Sequence, residues 1–160
     1  MRRRIGFLAI AALMLSSSAI AQTVATTGVD HLTPAQLQEK IAELRKQAAA
    51  SNGSASVKLA DYPNHYTMLS FRTANGGGEI HDQYADIFYV LSGNATLMTG
   101  GTLVGSTTAS PGEFRGASVT GDTKTELHQG DIVHIPAHTP HQLLLSNGKE
   151  FVYYVIKVHE

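Results

Sequence analysis

The 160-residue chain contains no cysteine. That absence excludes disulfides, a closed thiolate zinc site and a lipid anchor on a cleavage-site cysteine, so the fold must be held by its own core. Basic residues are in short supply as well, with 12 Lys and Arg against 13 Asp and Glu. Three of the 12 are Arg2, Arg3 and Arg4, ahead of the apolar run Ile5–Leu15 and the small residues Ala19 and Ala21. This is the three-part layout of a secretory leader, expected over residues 1–21 and cut after Ala21. Cleavage lowers Lys plus Arg from 12 to 9 against the same 13 acidic residues. No basic surplus is left to neutralise phosphates, which argues against nucleic acid as a partner. The apolar run also falls short of the about 20 residues that a bilayer span needs. The expectation is a periplasmic or secreted protein with no membrane anchor in its mature form. Internal repeats, low-complexity tracts, a Ser-His-Asp pattern and a phosphate-cradling loop are all missing. The glycines at 76–78 precede a strand pattern, whereas a phosphate loop precedes a helix.

What is present divides into two textures. Thr33-Pro34 with Gln36 forms a capping box with proline at the first helical position. Leu37, Ile41, Leu44 and Ala48 then fall on one stripe, which predicts a helix over about 34–49 within an N-terminal segment of 22–55. From residue 56 to 160, short Val-, Ile-, Thr-, Tyr- and Phe-rich runs alternate with glycine clusters. Many short strands at this spacing predict one all-β sandwich or barrel domain. The polar, glycine-rich stretch 105–127 reads as a long loop or loose hairpin. The run "FVYYVIKV" near the C-terminus reads as a central strand or a dimer seam.

Two stretches carry ligand-type side chains. In "GGGEIHDQYADIFYVLSG", Glu79 and His81 are two apart and share one side of a strand, with Asp86 five residues on. In "GDIVHIPAHTPHQLLL", three histidines flank two prolines. A metal ion needs about four to six donors from a rigid cradle, which a β-barrel interior can supply. His134 alternates with Val133 and Ile135, so it takes the opposite face and reads as a packed or hydrogen-bonded histidine.

The two stretches resemble the cupins, small double-sheet jelly-roll barrels. Over roughly 56–158, the spacings from Asp86 to Gly93 and from Gly130 through Pro136 to His141 follow the two cupin motifs. Glu79 stands where the first motif histidine would be, Asp86 replaces a glutamate, and His138 replaces a glycine. The resemblance implies a jelly-roll fold and a metal held by Glu79, His81, Asp86 and His141. Asp86 is a methylene shorter than glutamate, so it either ligates, holds the ion through water or yields to Gln83. This N/O donor set suits Mn, Fe, Ni or Zn as the divalent transition metal. Tyr84, His138, Gln83 and Arg72 on the incoming strand are candidate acid–base groups near the site, Tyr84 only with a lowered pKa; the plainer alternatives are a surface turn for Tyr84 and an exposed ion pair for Arg72. The resemblance further implies a small-molecule substrate, lyase or oxygenase chemistry similar to that of metal-dependent hydroxynitrile lyases, and a homodimer. Its alternatives are a non-catalytic small-ligand-binding protein and a scaffold.

Overall fold

A computed structural model describes residues 28–146 and 148–160; the expected leader lies outside them. One helix, α1 (Pro34–Ala49), precedes thirteen strands among the described residues. These are β1 (Ser54–Asp61), β2 (His65–Arg72), β3 (Gly78–His81), β4 (Tyr84–Ser92), β5 (Ala95–Thr99) and β6 (Leu103–Val104). They continue as β7 (Thr107–Ser110), β8 (Glu113–Gly116), β9 (Ser118–Val119), β10 (Thr123–Leu127), β11 (Ile132–Ile135), β12 (His141–Leu144) and β13 (Phe151–His159).

The strands form two antiparallel sheets packed face to face. The first has the order β1-β2-β13-β4-β11 and the second β10-β5-β12-β3-β8-β7, with β6 and β9 as a small separate ladder. This is the expected all-β jelly roll with an N-terminal helix. Alternation along the strands divides the side chains between its faces. Phe88, Val90, Leu97, Leu143, Phe151 and Val155 fill the space between the sheets. Leu69, Phe71 and Val152 point outward and meet Ile41, Leu44 and Ala48 of α1. The helix starts where its caps dictate: the Gln36 N–H donates to the Thr33 hydroxyl, and the Gln36 side chain accepts from the Thr33 N–H at 2.9 Å. β1 begins at Ser54, and Ala55 and Val57 pack against the same cluster, so the N-terminal segment and the barrel share hydrophobic contacts.

β13 is hydrogen-bonded to β2 on one side and β4 on the other, so the "FVYYVIKV" run is a central strand with no free edge. The stretch 105–127 is not a loop: it supplies β7 to β10, with β7 and β8 forming a hairpin. Gly93 turns the chain after β4 at φ 83°, where a Cβ would meet the Glu150 carbonyl oxygen at 2.0 Å. His138 stands at a motif glycine's position and keeps a glycine's backbone, with φ 61°, the one positive-φ non-glycine among the described residues. Relieving that left-handed conformation should let His138→Gly keep or raise stability, by up to about 1 kcal/mol in urea unfolding.

Candidate metal centre

β3 ends at His81, and the alternation of its pleat turns Glu79 and His81 together into the barrel. β12 begins at His141, which pairs across the ladder with Glu79. One ligand atom from each of Glu79, His81 and His141 lies within 4.8 Å of the others. Asp86 enters from β4 on the opposite sheet, its Oδ2 3.5 Å from His81 Nε2 and 3.6 Å from His141 Nε2. His81 Nε2 is also 3.5 Å from Glu79 Oε2. The shorter aspartate side chain therefore still reaches both imidazoles. All four side chains are largely withdrawn from water, Glu79 being the most open at 25 % exposure.

The imidazoles are held from behind. His81 Nδ1 is 2.7 Å from Glu113 Oε2, and His141 Nδ1 is 2.9 Å from the Thr139 carbonyl oxygen. With Nδ1 tied to its outer partner in each ring, both Nε2 atoms are turned toward the centre, the arrangement by which outer partners orient metal-binding histidines. His81 Nε2 is buried with no hydrogen-bond partner. Donors about 2.1 Å from one ion stand about 3.0–3.4 Å from each other, close to the spacings observed. The residues fit a divalent ion by orphaned nitrogen, convergence and donor chemistry alike.

The electrostatics are tightly coupled. Burial opposes a charge on His81, but the Asp86 and Glu79 carboxylates, each 3.5 Å from Nε2, outweigh it and push its pKa up to about 9. Burial holds His141 below the ordinary histidine value, despite the Thr139 carbonyl and the Asp86 and Glu79 charges. Burial would raise the carboxyl of Glu79, yet His81, Arg115, His141 and Arg72 hold it well below the usual range. Asp86 follows the same pattern, with His81 and Lys157 overcoming desolvation. In the metal-free protein the His81 contribution to stability is thus complete below its unfolded value of 6.5. It is lost as pH rises through about 9, a change on the order of 3 kcal/mol at about 1.4 kcal/mol per pH unit. Metal uptake near pH 7 should release close to one proton from His81, read by calorimetry in buffers of different ionisation enthalpy.

Three side chains at the site were not singled out in the sequence. Lys157 of β13 is buried, with Nζ 2.5 Å from Asp86 Oδ1, so one Asp86 oxygen faces an ammonium and the other the imidazoles. Glu113 and Arg115 come from β8, Arg115 Nη2 lying 3.0 Å from Glu113 Oε2. As the brace of His81, Glu113 should matter: Glu113→Ala is expected to weaken metal binding by about 10–100-fold, measured by competition with a chromophoric chelator.

The remaining sequence candidates fall elsewhere. Gln83 follows the end of β3, so the strand parity stops before it, and it is exposed in the bend before β4. Tyr84 packs edge-on against Tyr66 and His159. His138 is 72 % exposed, with Nδ1 3.2 Å from Asp82 Oδ1, and its N–H donates to the His81 carbonyl. His134 is exposed on the edge strand β11, where no element covers it for packing. Arg72 is not a surface ion pair: it lies inside the barrel at 16 % exposure, with Nε donating to the Tyr153 hydroxyl at 3.0 Å and Nη2 3.7 Å from Glu79 Oε1.

A cavity of about 200 Å³ opens onto the centre, lined by Tyr66, Arg72, Glu79, Asp86, Glu113 and Arg115 among others. A larger hollow of about 450 Å³ lies on the outer face of the first sheet, between Asp30–Leu32 and β2. Among the described residues, the converging donors Glu79, His81 and His141 lie at the smaller cavity's end and not at the outer hollow.

No protein-family model and no curated protein matches the sequence. Solved structures do. KdgF from Halomonas sp. superposes with a TM-score of 0.50 at 17 % identity, over 69 % of this chain and 83 % of that one. The cupin domain of Schizosaccharomyces pombe Cnp3 gives 0.51 at 8 % identity, over 69 % and 67 %. A Klebsiella pneumoniae protein with a double-stranded β-helix domain gives 0.50 at 16 % identity, over 68 % and 75 %. What these structures share with this chain is its fold, the double-sheet jelly roll of cupin domains.

Proposed function

We propose that this cupin is a metal-dependent enzyme of the cell envelope that acts on a small molecule by lyase or oxygenase type chemistry. The observation that carries the reading is the buried, unpartnered His81 Nε2, facing donors from Glu79, Asp86 and His141 while Glu113 fixes the ring from behind. His81, His141 and Glu79 would hold the ion, with Asp86 Oδ2 as the fourth donor and Lys157 fixing its other oxygen. When bound, a divalent ion of the Mn, Fe, Ni or Zn type polarises an oxygen of the substrate or lowers the pKa of a water. The chain's own residues do the rest. Burial and the Glu113 and Asp86 charges push the Tyr66 phenol above its ordinary pKa, so it stays a neutral hydroxyl at the cavity wall. Phe88, Met68 and Val155 supply the apolar part of the cavity wall. Glu79 is the most open of the donors and borders the cavity, so a bound molecule meets the centre on its side.

The test is reversible loss of turnover. Chelation should abolish elimination or O₂ consumption across a panel of small hydroxy and carbonyl compounds, and readdition of one metal should restore it. Turnover that survives complete chelation would overturn the reading.

One observation favours the alternative of a non-catalytic ligand-binding cupin: Lys157 already neutralises Asp86 without an ion. That reading predicts stabilisation by a ligand in the absence of metal, with no turnover. Export and dimerisation belong to the same proposal. The leader pattern supports the first, tested by recovery of a periplasmic or secreted form beginning at Gln22. For the second, β13 is internal, and β11, one of the edge strands, carries Ile132 at 71 % exposure beside the exposed Tyr89. Sedimentation of the folded protein tests it.

A further inference from the structure

We infer that the cavity takes a small carboxylate, gripped by Arg115 beside the metal centre; the inference rests on the metal reading above. Size comes first. About 200 Å³ is the room of roughly seven waters at ~30 Å³ each, below the usual range for drug-sized ligands. Charge comes second. The cavity wall carries three carboxylates, Glu79, Asp86 and Glu113, and three cations, Arg72, Arg115 and Lys157. With neutral histidines as ligands these side chains balance. A divalent ion among them adds two positive charges that no wall residue offsets, and an uncompensated charge in a part-buried site is costly. An anionic ligand removes that cost.

The third argument is which cation is free to grip it. Lys157 is committed to Asp86 at 2.5 Å, and Arg72 is enclosed at 16 % exposure, with Nε on the Tyr153 hydroxyl and Nη2 3.7 Å from Glu79 Oε1. Arg115 is the most open of the three, at 40 % exposure. Its Nη1 donates to the Phe114 carbonyl and its Nη2 to Glu113, which leaves Nε–H without a partner among the described residues. Arg115 pairs with Glu79 across the β3–β8 ladder, its Nη2 3.9 Å from Glu79 Oε2, so it stands next to the proposed ligands on the cavity side. That Nε–H and the charge behind it suit a carboxylate oxygen in a charge-assisted hydrogen bond. The flanking Glu79 and Glu113 carboxylates disfavour a more highly charged phosphate.

Titration calorimetry on zinc-loaded protein tests this with glycolate and malonate against glycolamide, ethylene glycol and inorganic phosphate. The expected result is carboxylate binding at least tenfold tighter than that of the neutral compounds and of phosphate. Arg115→Gln, compared with the wild type at full zinc occupancy, should weaken it at least tenfold, and Arg115→Lys should recover part of the loss. Tighter binding of phosphate, no preference over the amide, or no effect of Arg115→Gln at full zinc occupancy overturns the carboxylate inference and leaves the metal reading intact. Wild-type protein that takes up no zinc, manganese, iron or nickel overturns both.

Discussion

Replacing His141 with alanine is expected to lower metal affinity by more than the roughly 100-fold loss seen when an outer partner is removed, with the fold retained. His141 supplies Nε2 to the centre and sits 3.6 Å from Asp86 Oδ2. Burial keeps it below the ordinary histidine pKa, so it is neutral at pH 7 and its loss changes no charge. The stability cost is that of a buried ring, about 2–4 kcal/mol by analogy with large-to-small core changes. His81→Ala should lose metal as completely but cost more stability at neutral pH. In the metal-free protein His81 is an imidazolium lying among Glu79, Asp86 and Glu113, and its removal leaves their charges closer to uncompensated. The two variants thus share a binding defect and differ in unfolding free energy. Metal titration and urea unfolding, run at pH 7 on each, read the two effects separately.

Lys157→Met carries the largest expected effect on the metal-free fold. Lys157 is only 7 % exposed, and its partner Asp86 2 %. Removing one member of a buried pair costs up to about 3–5 kcal/mol, and here it leaves Asp86 with only the His81 imidazolium, 3.5 Å away, as compensation. Methionine keeps most of the side-chain volume, so packing contributes little of the loss. A divalent ion in contact with Asp86 Oδ2 would supply the missing positive charge. Lys157→Met should therefore bind metal more tightly than the wild type, and saturating metal should recover much of the lost stability. A variant that is destabilised equally with and without metal would separate Asp86 from the metal centre.

The readable part of the site was the part carried by local periodicity. Glu79 and His81 share a face because strands alternate, and the Gly130–Pro136–His141 spacing marks a strand, a turn and a returning strand. The capping box at Thr33 fixed the start of the helix in the same local way. What was not readable depended on contacts across the sheets. Lys157 is the single cation in an apolar run, and its parity with Tyr153 and Val155 puts it inside the barrel. Only pairing with β4 shows that it faces Asp86. Glu113 and Arg115 were obscured because the glycines and serines around them favour turns, yet β8 forms by pairing with β3. Arg72 looked like a surface residue for want of a visible partner; Tyr153 and Glu79, which hold it, come from distant strands. Gln83 erred in the other direction, since alternation was extended past the end of β3.

The most direct test of the account is the metal content of untagged protein beginning at Gln22, measured by elemental analysis after exposure to Mn, Fe, Ni and Zn in turn. The account predicts close to one equivalent of at least one of these ions, lost in His141→Ala. Wild-type protein that folds, stays free of metal and takes up none of the four would contradict it.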